Sequence, residues 1–486
     1  MKILFAASEA APFIKSGGLG DVASALPKEL VKIKDNEVCV FIPYYKQIKE
    51  NNSFDIQYVT SFNMPLGWRG QYVGIFKAVL KSTGVGKNKR CDLVLYFIDN
   101  EYYFGRDGLY GYPDDGERFA FFSKAVLESL QHLDFSPDVI HLNDWQTGYI
   151  PLFLNAFYRG LPKYRDIKTV FTIHNIEYQG KADLDFIDNV LGVDSSYKDV
   201  IEFDSLANAM KCAIVLSDKV TTVSETYSHE ILYPYFSHGL DGILSANSYK
   251  LCGIVNGIDT KLYDPSTDPS IPANFKASDL SGKAVCKAEL QKMLSLPVRP
   301  EATVIAMISR LVAHKGMELI EYIGEEMVNS LDIQFVLIGT GEKRFEDYMK
   351  YIAYKYPDKV SANITFDQKL ANMTYAGADL FLMPSKSEPC GLSQLIAMRY
   401  GTIPIVSETG GLVDTVPPIN LQTMEGRGIT FKLFNAHDMY DAIKRGVDLI
   451  NDKEASQKII SNIMRYDSSW KVPAAKYMDI YSEIRK

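Results

Sequence analysis

The chain has little cysteine, and none of it is arranged in pairs. Its 486 residues include six cysteines and seven histidines, with no C-x-x-C or H-x-x-x-H spacing. Isolated thiols, most of them within apolar runs, are typical of reduced cysteines, not of disulfide frameworks or zinc sites. The thiols are Cys39, Cys91, Cys212, Cys252, Cys286 and Cys390. The sequence therefore predicts neither a protein-ligated metal nor a cofactor.

The chain also lacks long apolar runs and an excess of basic residues. Only a short apolar stretch precedes Glu9, which fits neither a secretion signal nor a spanning helix. The formal net charge is -8, and no local basic patch interrupts it. We therefore expect a cytoplasmic protein that binds neither nucleic acid nor an anionic membrane.

What the chain does contain is an alternation of continuous apolar runs with helical patterns. Hydrophobic residues make up 47% of the chain and charged residues 23%, as in soluble globular proteins. Such runs fit strands that are covered on both faces, so they indicate an α/β fold with doubly wound parallel sheets. These sheets bind ligands at the carboxyl ends of their strands. The runs lie at 3–7, 38–42, 93–98, 139–142, 170–173, 220–223, 304–308, 335–338, 380–383 and 403–406.

The length suits two domains of about 200 to 250 residues each. We predict a first domain at 1–245 and a second at 246–473, with the boundary ahead of the stretch 263–273, which is rich in Asp, Pro and Ser. The final stretch, 474–486, has a helical pattern and is a candidate to pack back on the first domain.

Two glycine-rich loops follow apolar runs in similar contexts. The first, KSGGLGD at 15–21, places Lys15 beside glycines whose N–H groups can approach a phosphate, with a helix expected near Asp21. The second, TGGLVD, occupies 409–414. Two phosphate-type loops suggest two Rossmann-like halves. An ordinary chain reversal accounts for each loop as well, so other motifs have to decide.

Charged side chains follow two strands of the second half. Arg310 and Lys315 come after the run 304–308, and a guanidinium fork with a lysine suits a diphosphate. A solvated surface pair is the alternative. Glu388 lies at a turn before Pro389, where a fixed carboxylate suits sugar hydroxyls or a developing positive charge. Its alternative role is charge matching at a helix N-terminus, worth about 0.3 to 1 kcal/mol.

Polar side chains also follow strands of the first half. His174 comes directly after one apolar run and Asp144 after another. A lone histidine is often structural, so a packing role and a binding role both remain open for His174. The aromatic loop 102–112 suits stacking on sugar rings and suits ordinary packing equally well, and we do not predict a site there.

Seven motifs in order carry a family resemblance. They are KSGGLGDV, HLNDWQTG, FTIHNIEYQG, VNGID, SRLVAHKG, PSKSEPCGLSQLIAMRYGTIPIV and TGGLVDTV. Together they resemble the bacterial glycogen synthase and plant starch synthase family over nearly the whole chain. The resemblance implies two Rossmann-like domains facing across a cleft, the GT-B architecture. It also implies retaining transfer of glucose from ADP-glucose to the non-reducing 4-hydroxyl of an α-1,4-glucan such as glycogen or starch.

The resemblance also implies roles for domains and residues. The first domain is expected to carry the glucan acceptor side and part of the donor site, and the second to bind the nucleotide sugar. The residues expected at the diphosphate are Lys15, Gly18, Arg310 and Lys315, with Gly411 and Leu412 donating backbone amides. Those expected around the glucose are Asn256 and the catalytic residues Asp21, His174 and Glu388. No metal is required by this scheme.

Three other functions compete with this one. A dinucleotide-dependent oxidoreductase needs G-x-G-x-x-G, whereas the first loop has G-G-x-G. A glucan-binding homologue without activity is disfavoured because the charged set, Lys15, Arg310, Lys315 and Glu388, is present. A synthase that prefers UDP-glucose stays open, since no residue is identified as a contact to the base.

The sequence departs from the family pattern at Asn143. Many members carry histidine before the Asp-Trp pair, so any role of that histidine is in doubt here. A second irregularity is Pro27, which interrupts the helix expected after Asp21. That helix either kinks or begins late.

Overall fold

The computed structural model describes residues 1–81 and 92–486. Cys91 therefore lies outside the described part of the chain, whereas the other cysteines are free thiols. Within that part, no helix combines the length and the hydrophobicity that crossing a membrane requires. The same residues include no group of three or more His, Cys, Asp or Glu side chains placed to hold a metal ion.

The chain divides into two compact units. The first consists of Met1–Asn256 and Trp470–Lys486, and the second of Gly257–Ser469. This division differs from the predicted boundaries, which fell after residues 245 and 473. The first unit extends beyond residue 245 because the short strand Leu251–Gly253 pairs with its sheet.

The first unit contains a nine-stranded sheet and a small three-stranded one. Its strands are β1 (Lys2–Ala6), β2 (Glu37–Pro43), β3 (Gln57–Leu66), β4 (Arg69–Leu80), β5 (Leu93–Asp99), β6 (Val139–Asn143), β7 (Lys168–Ile173), β8 (Lys181–Ala182), β9 (Glu202–Phe203), β10 (Leu206–Asn208), β11 (Lys219–Thr222) and β12 (Leu251–Gly253). The large sheet has the order β12-β11-β7-β6-β1-β2-β5-β4-β3, and the small one β8-β10-β9. From β12 to β5 all neighbours are parallel, as predicted.

The edge hairpin of the large sheet was not predicted. β3 and β4 pair antiparallel with each other, and β4 pairs antiparallel with β5. Most residues of β3 are at least partly exposed, so its sequence lacks the continuous apolar run that identified the buried parallel strands. The prediction of βαβ units alone was therefore incomplete at this edge.

Helices of the first unit lie between these strands. They are α1 (Gly18–Leu30), α2 (Lys46–Lys49), α3 (Glu101–Phe104), α4 (Asp115–His132), α5 (Ile150–Phe153), α6 (Lys198–Ile201), α7 (Ala209–Leu216), α8 (Glu225–Glu230), α9 (Pro234–Ser237) and α10 (Asp241–Ala246). Because α1 begins at Gly18 and includes Pro27, the alternative of a late start is wrong. Pro27 lies in the last turns of α1, where its missing N–H removes one intrahelical hydrogen bond.

The second unit contains one parallel sheet. Its strands are β13 (Thr303–Ile308), β14 (Ile333–Ile338), β15 (Val360–Asn363), β16 (Leu380–Met383), β17 (Ile403–Ser407) and β18 (Ile429–Phe431), in the order β15-β14-β13-β16-β17-β18. All five neighbouring pairs are parallel. This order is that of the Rossmann fold, as the two glycine loops suggested.

Helices of the second unit follow the same alternation. They are α11 (Ser281–Met293), α12 (Met317–Ser330), α13 (Lys343–Lys355), α14 (Gln368–Gly377), α15 (Ser393–Arg399), α16 (Gly410–Thr415), α17 (Ala436–Asn451) and α18 (Lys453–Met464). A last helix, α19 (Lys471–Ile484), belongs to the first unit. There the Tyr481 hydroxyl lies 2.6 Å from Nδ1 of His141 on β6, and both side chains are fully buried.

Each unit has its own hydrophobic core around its sheet. The inward and outward residues of the central strands are alike apolar and buried, which is why these strands appear as continuous runs in the sequence. The order of strands reverses beside β1 in the first sheet and beside β13 in the second. Ligands of such sheets bind at the carboxyl ends of the strands where the order reverses. The loops after β1, β6, β13 and β16 are therefore the places where a site is expected.

Candidate active site

The loop after β1 is organised around a buried carboxylate, Glu9. Its Oε2 accepts hydrogen bonds from N–H and Oγ–H of Ser16, at 2.6 and 2.7 Å, and its Oε1 accepts one from N–H of Gly20 at 3.0 Å. Burial raises the pKa of Glu9, although these hydrogen bonds oppose the shift. A Cβ on Gly20 would lie 2.5 Å from Cβ of Lys15, so this turn needs glycine. Glu9 thus holds the glycine loop in shape.

The glycine loop brings two predicted site residues together. Nζ of Lys15 donates to both carboxylate oxygens of Asp21, at 3.0 and 3.2 Å, and each side chain is 27% exposed. The prediction gave these residues separate roles, at the diphosphate and at the glucose. Gly18, the third predicted residue of the loop, is exposed and begins α1. Helix α1 therefore starts three positions before Asp21, near which it was predicted to begin.

Asp144 connects the loop after β6 to the loop after β7. Its Oδ1 accepts hydrogen bonds from the backbone N–H groups of His174, at 2.7 Å, and Asn175, at 3.2 Å. Asp144 has φ of 56°, a left-handed conformation that is costly for a residue other than glycine. Burial raises the pKa of Asp144 to about 7, which the two N–H groups oppose. The backbone of His174 is therefore fixed by a side chain from the neighbouring strand.

The His174 ring is fixed as well. Its Nε2 lies 2.9 Å from Oδ1 of Asn143, the last residue of β6. Desolvation by the surrounding protein lowers the pKa of His174 to about 3. The imidazole is thus neutral at physiological pH, so it can supply hydrogen bonds but no positive charge.

In the second unit, Lys315 and Glu388 form an ion pair. Nζ of Lys315 donates to Oε2 of Glu388 at 2.6 Å, and Oγ of Ser385 donates to the same oxygen at 3.0 Å. Glu388 is 7% exposed. The three side chains line a cavity of about 130 Å³ at the carboxyl ends of β13 and β16. The strand ends that the sequence singled out thus meet at the reversal of the second sheet.

Glycines allow the loops of the second unit to approach so closely. Gly316, directly after Lys315, has φ of 80°, and a Cβ there would lie 2.1 Å from the carbonyl oxygen of Pro384. A Cβ on Gly411 would lie 2.4 Å from Cα of Cys390. Only glycine fits either position, because the atoms that a Cβ would strike belong to the backbone.

The backbone amides of Gly411 and Leu412 already have partners in the protein. The N–H of Gly411 donates to the carbonyl of Glu388 at 3.0 Å, and that of Leu412 to the carbonyl of Thr409 at 3.1 Å. Their predicted role as donors to a diphosphate would require them to exchange these carbonyls for phosphate oxygens. That role stays a prediction.

Arg310 and Asn256 are the remaining predicted residues. Arg310 is exposed two residues after the end of β13. Asn256, which ends the first of the two segments of the first unit, is 6% exposed. Its buried Oδ1 accepts no hydrogen bond from any described residue. A buried carbonyl oxygen of this kind is costly unless a partner donates to it, so it is a candidate to accept a hydrogen bond from a ligand.

Sequence reasoning missed the groups that position these residues. Glu9, Ser385 and Asn143 each contact a predicted site residue or the loop that carries it. For Glu9 a signal was present, since an acid that directly follows an apolar strand at a sheet reversal is a candidate for a buried acceptor. Ser385, three residues before Glu388, and Asn143, 31 residues before His174, carried no sequence pattern that marked them as hydrogen-bond partners.

Two α/β units with charged side chains and glycine loops at the reversals of their large sheets fit the class of glycosyltransferases that use nucleotide sugars. Two family models match, described as starch synthase catalytic domain (residues 2–246) and glycosyl transferases group 1 (residues 292–465). The chain is 48% identical to glycogen synthase of Desulforamulus reducens over all of this chain and 99% of that protein. It is 47% identical to glycogen synthase of Clostridium acetobutylicum, with all of both chains covered.

Solved structures agree with these matches. The catalytic domain of starch synthase IV from Arabidopsis thaliana, bound to ADP and acarbose, aligns with a TM-score of 0.90 at 32% identity, over 100% of this chain and 99% of that one. Sucrose-phosphate synthase from Thermosynechococcus elongatus aligns with a TM-score of 0.59 at 16% identity, over 99% and 98%, and shows the fold alone. The chain belongs to the glycogen synthase and starch synthase family of glucosyltransferases, EC 2.4.1.21. The predictions of family, fold class and enzyme class are confirmed.

Proposed function

We propose that this glycogen synthase homologue uses ADP-glucose as donor and extends the non-reducing 4-hydroxyl of an α-1,4-glucan with retention of configuration. The observation that carries the proposal is the Lys315 and Glu388 pair at the strand reversal of the second sheet. The pair adjoins a cavity whose walls include a cation and a carboxylate. A nucleotide sugar needs both, since negative charge develops on the departing phosphate and positive charge on the anomeric carbon.

The second unit is proposed to bind the nucleotide sugar, and the first to carry the glucan acceptor side and part of the donor site. Arg310 and Lys315 would neutralise the diphosphate, with help from Lys15 and Gly18 of the first glycine loop. Gly411 and Leu412 would add backbone amides. Asn256 would donate to or accept from a sugar hydroxyl, for which its unpartnered Oδ1 is suited.

The reaction is proposed to proceed on one face of the sugar. The bond between the anomeric carbon and the phosphate oxygen breaks, ADP leaves with the electron pair, and the acceptor oxygen forms the new glycosidic bond. The departing phosphate takes the acceptor's proton. A backbone carbonyl near His174 and the oxygens of Asp21 and Glu388 would stabilise the oxocarbenium-like centre.

The hydrogen bonds of Glu388 support a charge-stabilising role and not a nucleophilic one. One carboxylate oxygen already accepts hydrogen bonds from both Lys315 and Ser385, so its lone pairs are engaged and not free for attack on the anomeric carbon. His174 is neutral, so it adds no positive charge beside the developing cation. Detection by mass spectrometry of a glucosyl group on Glu388 would replace this mechanism by double displacement.

The test is transfer of radiolabelled glucose to glycogen from ADP-glucose and, in parallel, from UDP-glucose, each with EDTA present. We expect incorporation from ADP-glucose that resists the chelator. Lys315→Ala should raise the KM for the donor about tenfold or more, the value of one charge-assisted contact. Lys343→Ala is the matched control, because that lysine is 86% exposed in a helical pair with Asp347.

Three outcomes would change the proposal. Preference for UDP-glucose would keep the reaction and change the donor. Loss of activity in EDTA would show that a metal is needed. No incorporation from either donor by folded protein would leave a glucan-binding homologue that has lost its chemistry.

A further inference from the structure

The amide of Asn143 has only one possible orientation. The side chain is fully buried at the end of β6. Its Nδ2 donates to the carbonyl of Ala6 at 2.9 Å and lies 3.5 Å from the carbonyl of His141. Both neighbours are acceptors only, so exchanging the amide nitrogen and oxygen would set oxygens against each other. Oδ1 therefore points away from β1 and faces the His174 ring.

This orientation determines which nitrogen of His174 carries the proton. Oδ1 of Asn143 can only accept, and Nε2 of His174 lies 2.9 Å from it, so Nε2 must be the donor. The ring is neutral in its desolvated surroundings and has a single N–H. Nδ1 is consequently unprotonated and offers a lone pair.

Asp144 fixes the main chain that carries the His174 ring. It accepts hydrogen bonds from the N–H groups of His174 and Asn175. Neighbouring residues of one strand end thus hold both the ring and the main chain of the histidine. A histidine at position 143 would leave the tautomer open because imidazole can donate or accept.

We propose that Asn143 is a positioning residue that selects the Nε2–H tautomer of His174, which leaves Nδ1 as an acceptor for a sugar hydroxyl. The tautomer follows from the contacts of Asn143 alone, whereas the sugar contact rests on the proposed function. When a sugar hydroxyl donates to Nδ1, the direction of its O–H bond is fixed, and so are the directions of its oxygen lone pairs. The tautomer therefore also determines how that hydroxyl is oriented in the site. The other tautomer would donate from Nδ1 to the hydroxyl oxygen and so reverse the direction of this hydrogen bond.

The tautomer can be measured by NMR on the full chain labelled with 15N-histidine. Neutral imidazole gives well-separated signals for its protonated and unprotonated nitrogens, and His174→Gln identifies the His174 signals among the seven histidines. We expect Nε2 protonated and Nδ1 unprotonated in the wild type. Asn143→Leu, of similar size, removes the acceptor and should shift His174 toward the other tautomer. Asn143→Asp keeps an oxygen toward Nε2 and should keep the proton there, with its second oxygen protonated so that it can donate to the carbonyl of Ala6 in place of Nδ2.

Kinetics separate this role from a merely structural one. With ADP-glucose and glycogen, Asn143→Leu should lower kcat/KM about tenfold, the value of one hydrogen bond to a neutral group. Asn143→Asp should retain more of the activity than Asn143→Leu. A structural role would destabilise both variants and leave the His174 signals unchanged.

Two results would overturn the proposal. One is a wild-type spectrum with the proton on Nδ1. The other is a folded Asn143→Leu enzyme with unaltered kinetics or unaltered His174 signals. If wild-type protein transfers glucose from no donor, the proposed function fails on its own, and the spectra still decide the tautomer.

Discussion

The two units place their site residues at equivalent points of similar sheets but hold them by different forces. In the first unit, buried oxygens hold the site by accepting from neighbouring groups: Asp144 from backbone amides and Asn143 from the His174 ring. In the second unit, the corresponding strand ends are joined by the ion pair of Lys315 and Glu388. The contacts around His174 contain no cation for which a ligand anion could compete, unlike the Lys15 and Asp21 pair of the same unit.

The second arrangement can respond to its ligand. In the proposed function, a diphosphate would compete with Glu388 for the ammonium group of Lys315, because both acceptors are anionic. The pair is mostly buried, with side-chain exposures of 18% for Lys315 and 9% for Glu388. Without a ligand, each charge therefore offsets the free-energy cost of removing the other from water. The contrast is therefore between the preformed acceptors around His174 in the first unit and the exchangeable cation beside Glu388 in the second.

The largest expected effect comes from breaking the ion pair. Glu388→Ala should lower turnover by at least about a hundredfold, the scale of losing one strong transition-state contact. It should also destabilise the second unit, because Lys315 would keep a mostly buried charge without its partner. Steady-state kinetics and urea unfolding measure the two effects.

Glu325→Ala is the control for this variant. Glu325 belongs to the same unit and also pairs with a lysine, Lys355, but both side chains are more than 40% exposed. Exposed pairs contribute about 0 to 1 kcal/mol, so neither turnover nor stability should change much. Near-normal turnover in folded Glu388→Ala enzyme would remove Glu388 from the site.

A smaller effect is expected from the buried acid of the first unit. The pKa of Asp144 is about 7 in the folded protein, against 3.8 for the ordinary group, so the folded state holds more protons between these values. The folded state is therefore more stable with Asp144 protonated than with Asp144 ionised. This gain in the free energy of unfolding is complete below about pH 4 and is lost as the pH rises toward 7. In Asp144→Asn this loss of stability with rising pH should disappear, because Asn does not ionise and keeps an oxygen for the two N–H donors.

Urea titrations from about pH 5 to about pH 8 test this expectation. The stability of Asp144→Asn relative to wild type should increase with pH, by an amount on the order of 3 kcal/mol over the full interval. His174 contributes with the opposite sign. Its pKa is about 3, below the ordinary 6.5, so its contribution is lost as the pH falls from 6.5. A pH profile identical to that of the exposed control Asp199→Asn would contradict the assignment for Asp144.

The smallest expected effect concerns the second hydrogen bond to Glu388. Ser385→Ala removes the 3.0 Å contact to Oε2 and leaves the Lys315 contact in place. We expect turnover to fall roughly threefold to tenfold, the worth of about 1 kcal/mol. A loss as large as that of Glu388→Ala would mean that the hydroxyl, and not the ion pair, positions the carboxylate, and the contrast between the units would weaken.

Strand positions and the site loops were predictable because they depend on local patterns. Continuous apolar runs identified the buried strands, and chemistry at strand ends identified residues such as Lys315 and Glu388. The hairpin of β3 and β4 escaped because its half-exposed strands have no continuous apolar run. The start of α1 was placed too late because the glycines of KSGGLGD read as a loop, whereas Gly18 already belongs to the helix.

The sequence by itself determined the fold class, the family and the kinds of groups available for catalysis. Only the tertiary structure decided which distant groups meet: Asn143 with His174, and Lys315 with Glu388. Lys315 and Glu388 are 73 residues apart in the chain, and Asn143 and His174 are 31 apart. Apolar periodicity is a local property that a sequence displays directly. Hydrogen bonds need atoms about 3 Å apart, and only the order of strands in the sheet brings such distant residues that close.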